Sequence, residues 1–481
     1  MKILLLSQEE PHPFYAGVHE YFTAPLLAGD PLPLEKFSVP PLGVTLLASA
    51  LNERGFEALP FHNFFSSETE KKRLLAALAR RPFAVCVSTT HLFSPALMEE
   101  INALVRRLSP GTFVIAGGPG AEWNPELRPR GGVTVAGPAE DSLPELLTAL
   151  AERRNPREVP NLIFSLDGRW VETPRSEPPP MDSLPLPDWG LYPRVPEKVP
   201  VQGARGCSRG CGFCSYSSPY SSRSPASVLR EVRANRNRWG IKRFRFTDSD
   251  LTCDPARAFE LCRGLEADGD VSWTCFARAD GLLTEGLPEA MRRAGCLWVF
   301  LGVESGSEKI LTSMRKGCGP AVMRAGIAAA KKAGLGVHSN FVIGYPGETA
   351  ETLAETEAFA LGSGLDTVYF SPFQIRSPGI PALASKQQGL TGGTAGWAHS
   401  TMTSGEMLEY TRNLMARVAA NPAAPLLTSE ALFSLFSEGE GPAFAASVRS
   451  FFGAVRDWNL GRAAGDADRQ AEARKRLAAH L

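Results

Sequence analysis

The sequence has no net charge, no long apolar run and no framework of paired cysteines. Lys and Arg together number 51 and so do Asp and Glu, in 481 residues. Nucleic-acid binders usually carry a basic excess or patch. Here the longest basic runs are a few residues, and Lys71-Lys72-Arg73 reads as a solvated helix face. No nucleic-acid partner is expected. A membrane span needs about 18 consecutive apolar residues, and no such stretch exists. The opening MKILLLSQEE turns polar too soon for a secretory leader, so it reads as a first strand and the expected location is the cytoplasm. The cysteines number nine, an odd count that excludes a simple disulfide framework. Six of them, Cys86, Cys253, Cys262, Cys275, Cys296 and Cys318, are scattered and read as small buried apolar residues. No internal repeat is visible.

What is present is length and alternation. A chain this long needs more than one core. Through residue 155, strand and helix patterns alternate: KILLLS (2–7), FEALPFH (56–62), AVCVST (84–89), TFVIAGG (112–118) and VTVAG (133–137) as strands, with helices between. Alternation of this kind predicts an α/β domain with a parallel sheet covered on both faces. Ligands bind such sheets at the carboxyl ends of the strands. Those ends carry Ser88, Thr89, Gly117, Gly118 and Gly137. Residues 156–198 are dense in proline, as in SEPPPMDSLPLPDWGLYP, and read as a linker or wrapping segment. Over 199–380 six further β/α units follow, which predicts an incomplete parallel barrel. Residues 381–481 show helical stretches and no clear strand.

The densest chemistry is CSRGCGFC at 207–214. Cys207, Cys211 and Cys214 in C-x3-C-x2-C spacing can hold three irons of a cubane and leave the fourth open. A structural zinc site is the alternative, but it wants four ligands. No histidine lies between His91 and His338, and the next cysteine is Cys253.

This motif, with Phe213 before its last cysteine and placed after the first barrel strand, resembles the radical S-adenosylmethionine (radical SAM) superfamily. FTDSDLTCD (246–254), CFARAD (275–280), LGVESGSEKILTSMRKG (301–317), FVIGYPGET (341–349) and FQIRSPGIPAL (373–383) resemble its later strand segments. The resemblance implies a 4Fe–4S cluster that S-adenosylmethionine chelates through its amino and carboxylate groups. It also implies one-electron cleavage to a 5′-deoxyadenosyl radical that abstracts hydrogen from substrate, with a reductant such as flavodoxin or ferredoxin. The implied cofactor contacts are Asp248 or Asp250 to the methionine ammonium, Arg278, Glu304 and Ser305, and Asn340, Ile343 and Gly344 beside the adenine. Each has a plainer alternative: a helix N-cap or turn for the aspartates, and ion pairs within the barrel for Arg278 and Glu304.

The first domain resembles the cobalamin-binding domain of cobalamin-dependent radical enzymes, through residues 85–119 and 133–150. That resemblance implies a Rossmann-like, flavodoxin-like domain whose small residues, Gly117-Gly118-Pro119 among them, admit the nucleotide tail of cobalamin. The Asp-x-His-x-x-Gly motif that supplies a cobalt ligand in many cobalamin proteins is absent. His12, His19, His62 and His91 read as structural or surface histidines, so the axial ligand stays open. No cysteine follows Cys318, which argues against auxiliary clusters. The expected protein is a cobalamin-dependent radical enzyme, a C-methyltransferase acting on a small molecule. A radical cyclase or rearrangement enzyme, with or without cobalamin, is the alternative.

Overall fold

A computed structural model describes residues 1–10, 39–215, 219–420 and 441–479. His12 and His19 lie outside them. Two compact units are present, one built from residues 1–10 and 40–196, the other from residue 197 onward.

The first unit is a seven-stranded sheet. Its strands are β1 (Lys2–Ser7), β2 (Glu57–His62), β3 (Ala84–Ser88), β4 (Phe113–Gly117), β5 (Val133–Val135), β6 (Leu162–Leu166) and β7 (Arg169–Glu172), in the order β2-β1-β3-β4-β5-β6-β7. Pairing is parallel from β2 to β5 and antiparallel beyond. The unbroken apolar run of β1 has a simple cause, since successive side chains point to opposite faces and both faces are covered. Ile3 and Leu5 join one core with Val44, Ala48 and Leu51 of the helix Leu42–Glu53. Leu4 and Leu6 join the other with Met98, Ile101 and Val105 of the helix Pro95–Leu108.

Over 156–198 the proline-rich stretch takes the wrapping form of the two expected. Residues 162–172 form the β6–β7 hairpin on the sheet edge. Farther on, Trp189 is fully buried and stacks on Tyr192, whose hydroxyl meets Thr45 Oγ1 at 3.0 Å. The Asp188 amide donates to Ser49 Oγ at 2.8 Å. Proline fixes this segment in an extended path while the aromatic and polar groups anchor it to the helix Leu42–Glu53. It wraps the first unit.

The second unit is a six-stranded, all-parallel sheet in sequential order. Its strands are β8 (Lys198–Val201), β11 (Arg243–Phe246), β12 (Ser272–Ala277), β13 (Cys296–Glu304), β14 (Gly336–Ile343) and β15 (Thr367–Pro372). Helices such as Pro225–Trp239, Pro255–Asp268, Pro320–Lys332 and Ala350–Gly362 alternate with them. This is the open (β/α)6 barrel the alternation predicts. Two short strands, β9 (Ala204–Arg205) and β10 (Ser221–Ser222), pair antiparallel at the foot of the cysteine loop. After the barrel, β16 (Thr391–Gly393), β17 (Gly396–His399) and β18 (Met402–Thr403) form a small antiparallel sheet before the helices Ser404–Ala420, Gly441–Ala464 and Ala467–Ala478. The expectation of no strand beyond 381 is corrected there. These strands are two to four residues long and glycine-rich, too short to show period-two alternation.

Candidate functional site

The carboxyl ends of the six barrel strands carry the chemistry of the second unit. Directly after β8 the chain enters the cysteine loop. Cys211 is buried, Cys207 and Cys214 are partly exposed, and all three are free thiols. The Cys214 amide donates to the Cys211 carbonyl at 3.2 Å, a tight turn that gathers the last two cysteines. Among the described residues, no group of three or more His, Cys, Asp or Glu converges on a single-ion site. In a cubane each thiolate takes a different iron, so three thiolates need no common focus. Burial pushes the Cys211 thiol upward, while Lys316 and Arg278 nearby favour the thiolate.

Close packing holds this loop under the barrel mouth. The Gly212 amide donates to Met314 O at 2.8 Å, and Gly212 O accepts from the Ala382 amide at 2.9 Å. A Cβ on Gly212 would land on the Tyr345 hydroxyl. That hydroxyl donates to Gln387 Oε1 at 2.8 Å, and the Tyr345 ring meets Phe213 edge-on at 6.5 Å. On another side Arg209 Nη2 donates to Asp280 Oδ2 at 3.3 Å.

Asp248 is fully buried, and its carboxylate is already taken. Oδ1 accepts the amides of Gly203 and Ala204 at 2.6 and 3.0 Å, and Oδ2 accepts Arg257 Nη1 at 3.3 Å. Asp250 accepts from the Thr252 amide and hydroxyl at 3.0 and 2.7 Å, so it caps the short turn Leu251–Cys253. Both carboxyls are raised by burial. Asp250 thus has the turn-and-cap geometry, whereas Asp248 holds backbone 45 residues earlier in the chain and a buried arginine.

Arg278 donates through Nε to Asp280 Oδ1 at 2.9 Å and through Nη2 to Lys316 O at 2.8 Å. The chain Arg209–Asp280–Arg278 thus ties the third strand end to the cysteine loop. Glu304 ends β13 at a register shift, with φ +70, and accepts Lys316 Nζ at 3.1 Å. Lys316 Nζ lies 5.9 Å from the Phe213 ring centroid. Glu304 and Lys316 are therefore at the mouth, one beside the other. Ser305 is fully buried, its hydroxyl 3.0 Å from Thr356 Oγ1. Asn340 is partly exposed, its side-chain oxygen 2.8 Å from His338 Nε2. Ile343 is fully buried, and Gly344, at φ +89, lies beneath Met407 and Trp397. Local pattern alone did not reveal Arg209, Asp280, Lys316 and Tyr345. The Lys-Gly pair inside LGVESGSEKILTSMRKG was the available signal for Lys316.

In the first unit, Thr89 Oγ1 donates to Gly117 O at 2.8 Å and accepts the Ala121 amide at 2.8 Å. Gly118 has φ +95, and a Cβ there would sit 3.0 Å from Thr90 Oγ1. Ser88, Gly117, Gly118 and Pro119 remain partly open at the sheet edge, and Gly137 is exposed. The Gly137 amide donates to Glu122 Oε2 at 3.0 Å. Small residues thus line the carboxyl edge, which fits a bulky planar ligand lying over it. His62 is buried, with Nδ1 3.0 Å from Ser7 Oγ. Burial pushes it down to about 4, so it is a neutral imidazole at pH 7.

Comparison with known proteins meets this geometry in both units. Residues 201–360 match the radical SAM superfamily model and residues 36–147 match the B12 binding domain model. An uncharacterized methyltransferase of Pyrococcus horikoshii is 29% identical over 363 residues, covering 70% of this chain and 76% of the relative. The anaerobic magnesium-protoporphyrin IX monomethyl ester cyclase of Cereibacter sphaeroides is 27% identical over 349 residues. This match covers 67% of the chain but only 56% of the cyclase. Among solved structures, the radical S-adenosylmethionine methyltransferase TsrM of Kitasatospora setae, with cobalamin and a 4Fe–4S cluster bound, aligns with a TM-score of 0.67. Its identity is 17%, over 98% of this chain and 99% of that one, a likeness of fold.

Proposed function

We propose that this chain, a radical SAM enzyme carrying a B12 binding domain, is a C-methyltransferase acting on a small molecule. The observation that carries the reading is the three-thiol loop at the mouth of an open six-stranded parallel barrel, in one chain with a glycine-edged α/β unit. Bound there, the cluster and S-adenosylmethionine supply one-electron cleavage of a carbon–sulfur bond, and cobalamin supplies a transferable methyl group.

Cys207, Cys211 and Cys214 would hold the 4Fe–4S cluster, at which S-adenosylmethionine would bind. Glu304, at the end of β13, and Asn340, within the neighbouring strand β14, are the polar side chains this reading assigns to its sugar hydroxyls and base. Arg209, Asp280 and Arg278 orient the loop. Ser88, Gly117, Gly118, Pro119 and Gly137 leave room at the sheet edge for the corrin and its tail. A small reducing protein of the flavodoxin or ferredoxin kind delivers the electron in the cytoplasm.

Similarity to the anaerobic cyclase supports a second reading, ring formation without methyl transfer. Iron and cobalt per chain, after anaerobic purification from cells supplied with cobalamin, test the cofactor set first. About four irons and about one cobalt support the methyltransferase, and methyl-labelled S-adenosylmethionine then reports transfer to candidate substrates. Four irons without cobalt remove methyl transfer and leave radical cyclisation.

A further inference from the structure

The cysteine loop has a neck. Its two sides are β9 and β10, paired Ala204 to Ser222 and Arg205 to Ser221. Gly203 precedes the neck on one side and Arg223 follows it on the other. The Arg223 amide donates to Gly203 O at 2.8 Å, extending the pairing by one step.

A buried charge network closes around that step. Asp248 holds the amides of Gly203 and Ala204. Arg257 binds three groups at once: Asp248 Oδ2 through Nη1 at 3.3 Å, Gly203 O through Nη2 at 2.8 Å and Arg223 O through Nε at 3.0 Å. The Arg223 guanidinium in turn reaches Glu231, Ser227 O and Gln202 O. The fit is close: a Cβ on Gly203 would lie 2.6 to 2.9 Å from Arg257 Nη2 and both Asp248 oxygens. Asp248, Arg257, Arg223 and Glu231 are all buried.

We propose that Asp248 and Arg257 are positioning residues that set the cysteine loop before any iron arrives. The proposal rests on the cluster reading above. Every bond in the network is made by protein groups alone, so the neck needs no iron to close it. An open loop would have to be ordered at the moment of cluster binding, and that conformational entropy weakens the bound state. A closed neck removes part of it in advance. Burial also makes the network unforgiving, since loss of one partner strands the other as an unpaired buried charge.

The test uses the full chain with D248N and D248A. Reconstituted protein is challenged with an iron chelator, and S-adenosylmethionine affinity is measured on molecules that keep their iron. The metal-free proteins are compared by amide hydrogen exchange over residues 199–224. Expected are iron loss about tenfold faster or more in D248A, an intermediate rate in D248N, and unchanged S-adenosylmethionine affinity per cluster. Exchange at Gly203 and Ala204 rises in the metal-free variants. Normal iron retention with lost S-adenosylmethionine binding overturns the proposal and makes Asp248 a cofactor ligand. Unchanged exchange in D248A overturns it as well. If D248A fails to fold, R257K is read by the same two measurements. Should the wild-type chain take up no iron, the cluster reading falls, and hydrogen exchange still decides the neck.

Discussion

The two units prepare their strand ends by opposite means. The barrel uses buried charge: Asp248, Arg257, Arg223 and Glu231 fix backbone that carries the cysteines. The first unit uses the absence of side chains: Gly118 and Gly120 let Thr90 and Thr89 approach the backbone, and the edge stays thin. Charge networks suit a small ligand held at defined points. Thin edges suit a large flat one that needs area. The contrast predicts that substitutions in each unit affect different cofactors.

The largest expected effect is Cys211→Ala, which abolishes S-adenosylmethionine cleavage under reducing conditions while cobalt content and far-ultraviolet dichroism stay normal. Cleavage at the wild-type rate would refute the cluster assignment. Next is Gly212→Ala, which drives a methyl into the Tyr345 hydroxyl. Iron per chain should fall severalfold, and the double variant with Tyr345→Phe should recover part of it, because the colliding oxygen is gone. A double variant no better than the single one would mean another contact sets the loop.

In the first unit Gly120→Ala collides with the Thr89 carbonyl, and overpacking of this kind costs about 1–3 kcal/mol. Cobalt content and the thermal stability of that unit should fall while iron content holds. Equal loss of both metals would erase the contrast.

The smallest effect is a pH slope. Glu348 is fully buried and accepts the Gly344 amide and, at 3.2 Å, the Tyr345 amide. Burial outweighs these bonds and pushes its carboxyl up to about 8. The unfolded chain releases this proton near pH 4.5 and the folded chain retains it to about 8. Stability contributed by Glu348 is therefore full at low pH and declines between those values. Glu348→Gln should flatten that decline, raising the melting temperature at pH 9 by a few degrees. A slope unchanged in Glu348→Gln would assign it to another group.

Much of this fold was legible because its signals are local. Apolar runs broken by helical periodicity announced both parallel sheets, and three cysteines in eight residues announced the loop. The rest depends on partners distant in sequence. Nothing near Asp248 says that it turns back 45 residues to the Gly203 amide. Tyr345 reaches Gly212 and Gln387 only through the folded barrel. Trp189 and Tyr192 were masked by the prolines around them, which read as a linker or wrapping segment yet leave aromatic anchors free to pack. Glu304 was legible as a strand-end carboxylate, but Lys316 as its neighbour was not.

The small sheet beyond the barrel determines where this chain can be cut. Trp397 donates its indole N–H to Phe373 O at 3.1 Å, and His399 Nε2 lies 3.1 Å from Gly344 O. Both partners belong to the barrel's last two strand ends. A fragment ended at residue 380, where a pattern of six β/α units invites the boundary, exposes Phe373 and Gly344 to water. A fragment meant to isolate the barrel must run through the helix Ser404–Ala420, whose Met407 fills the space above Gly344.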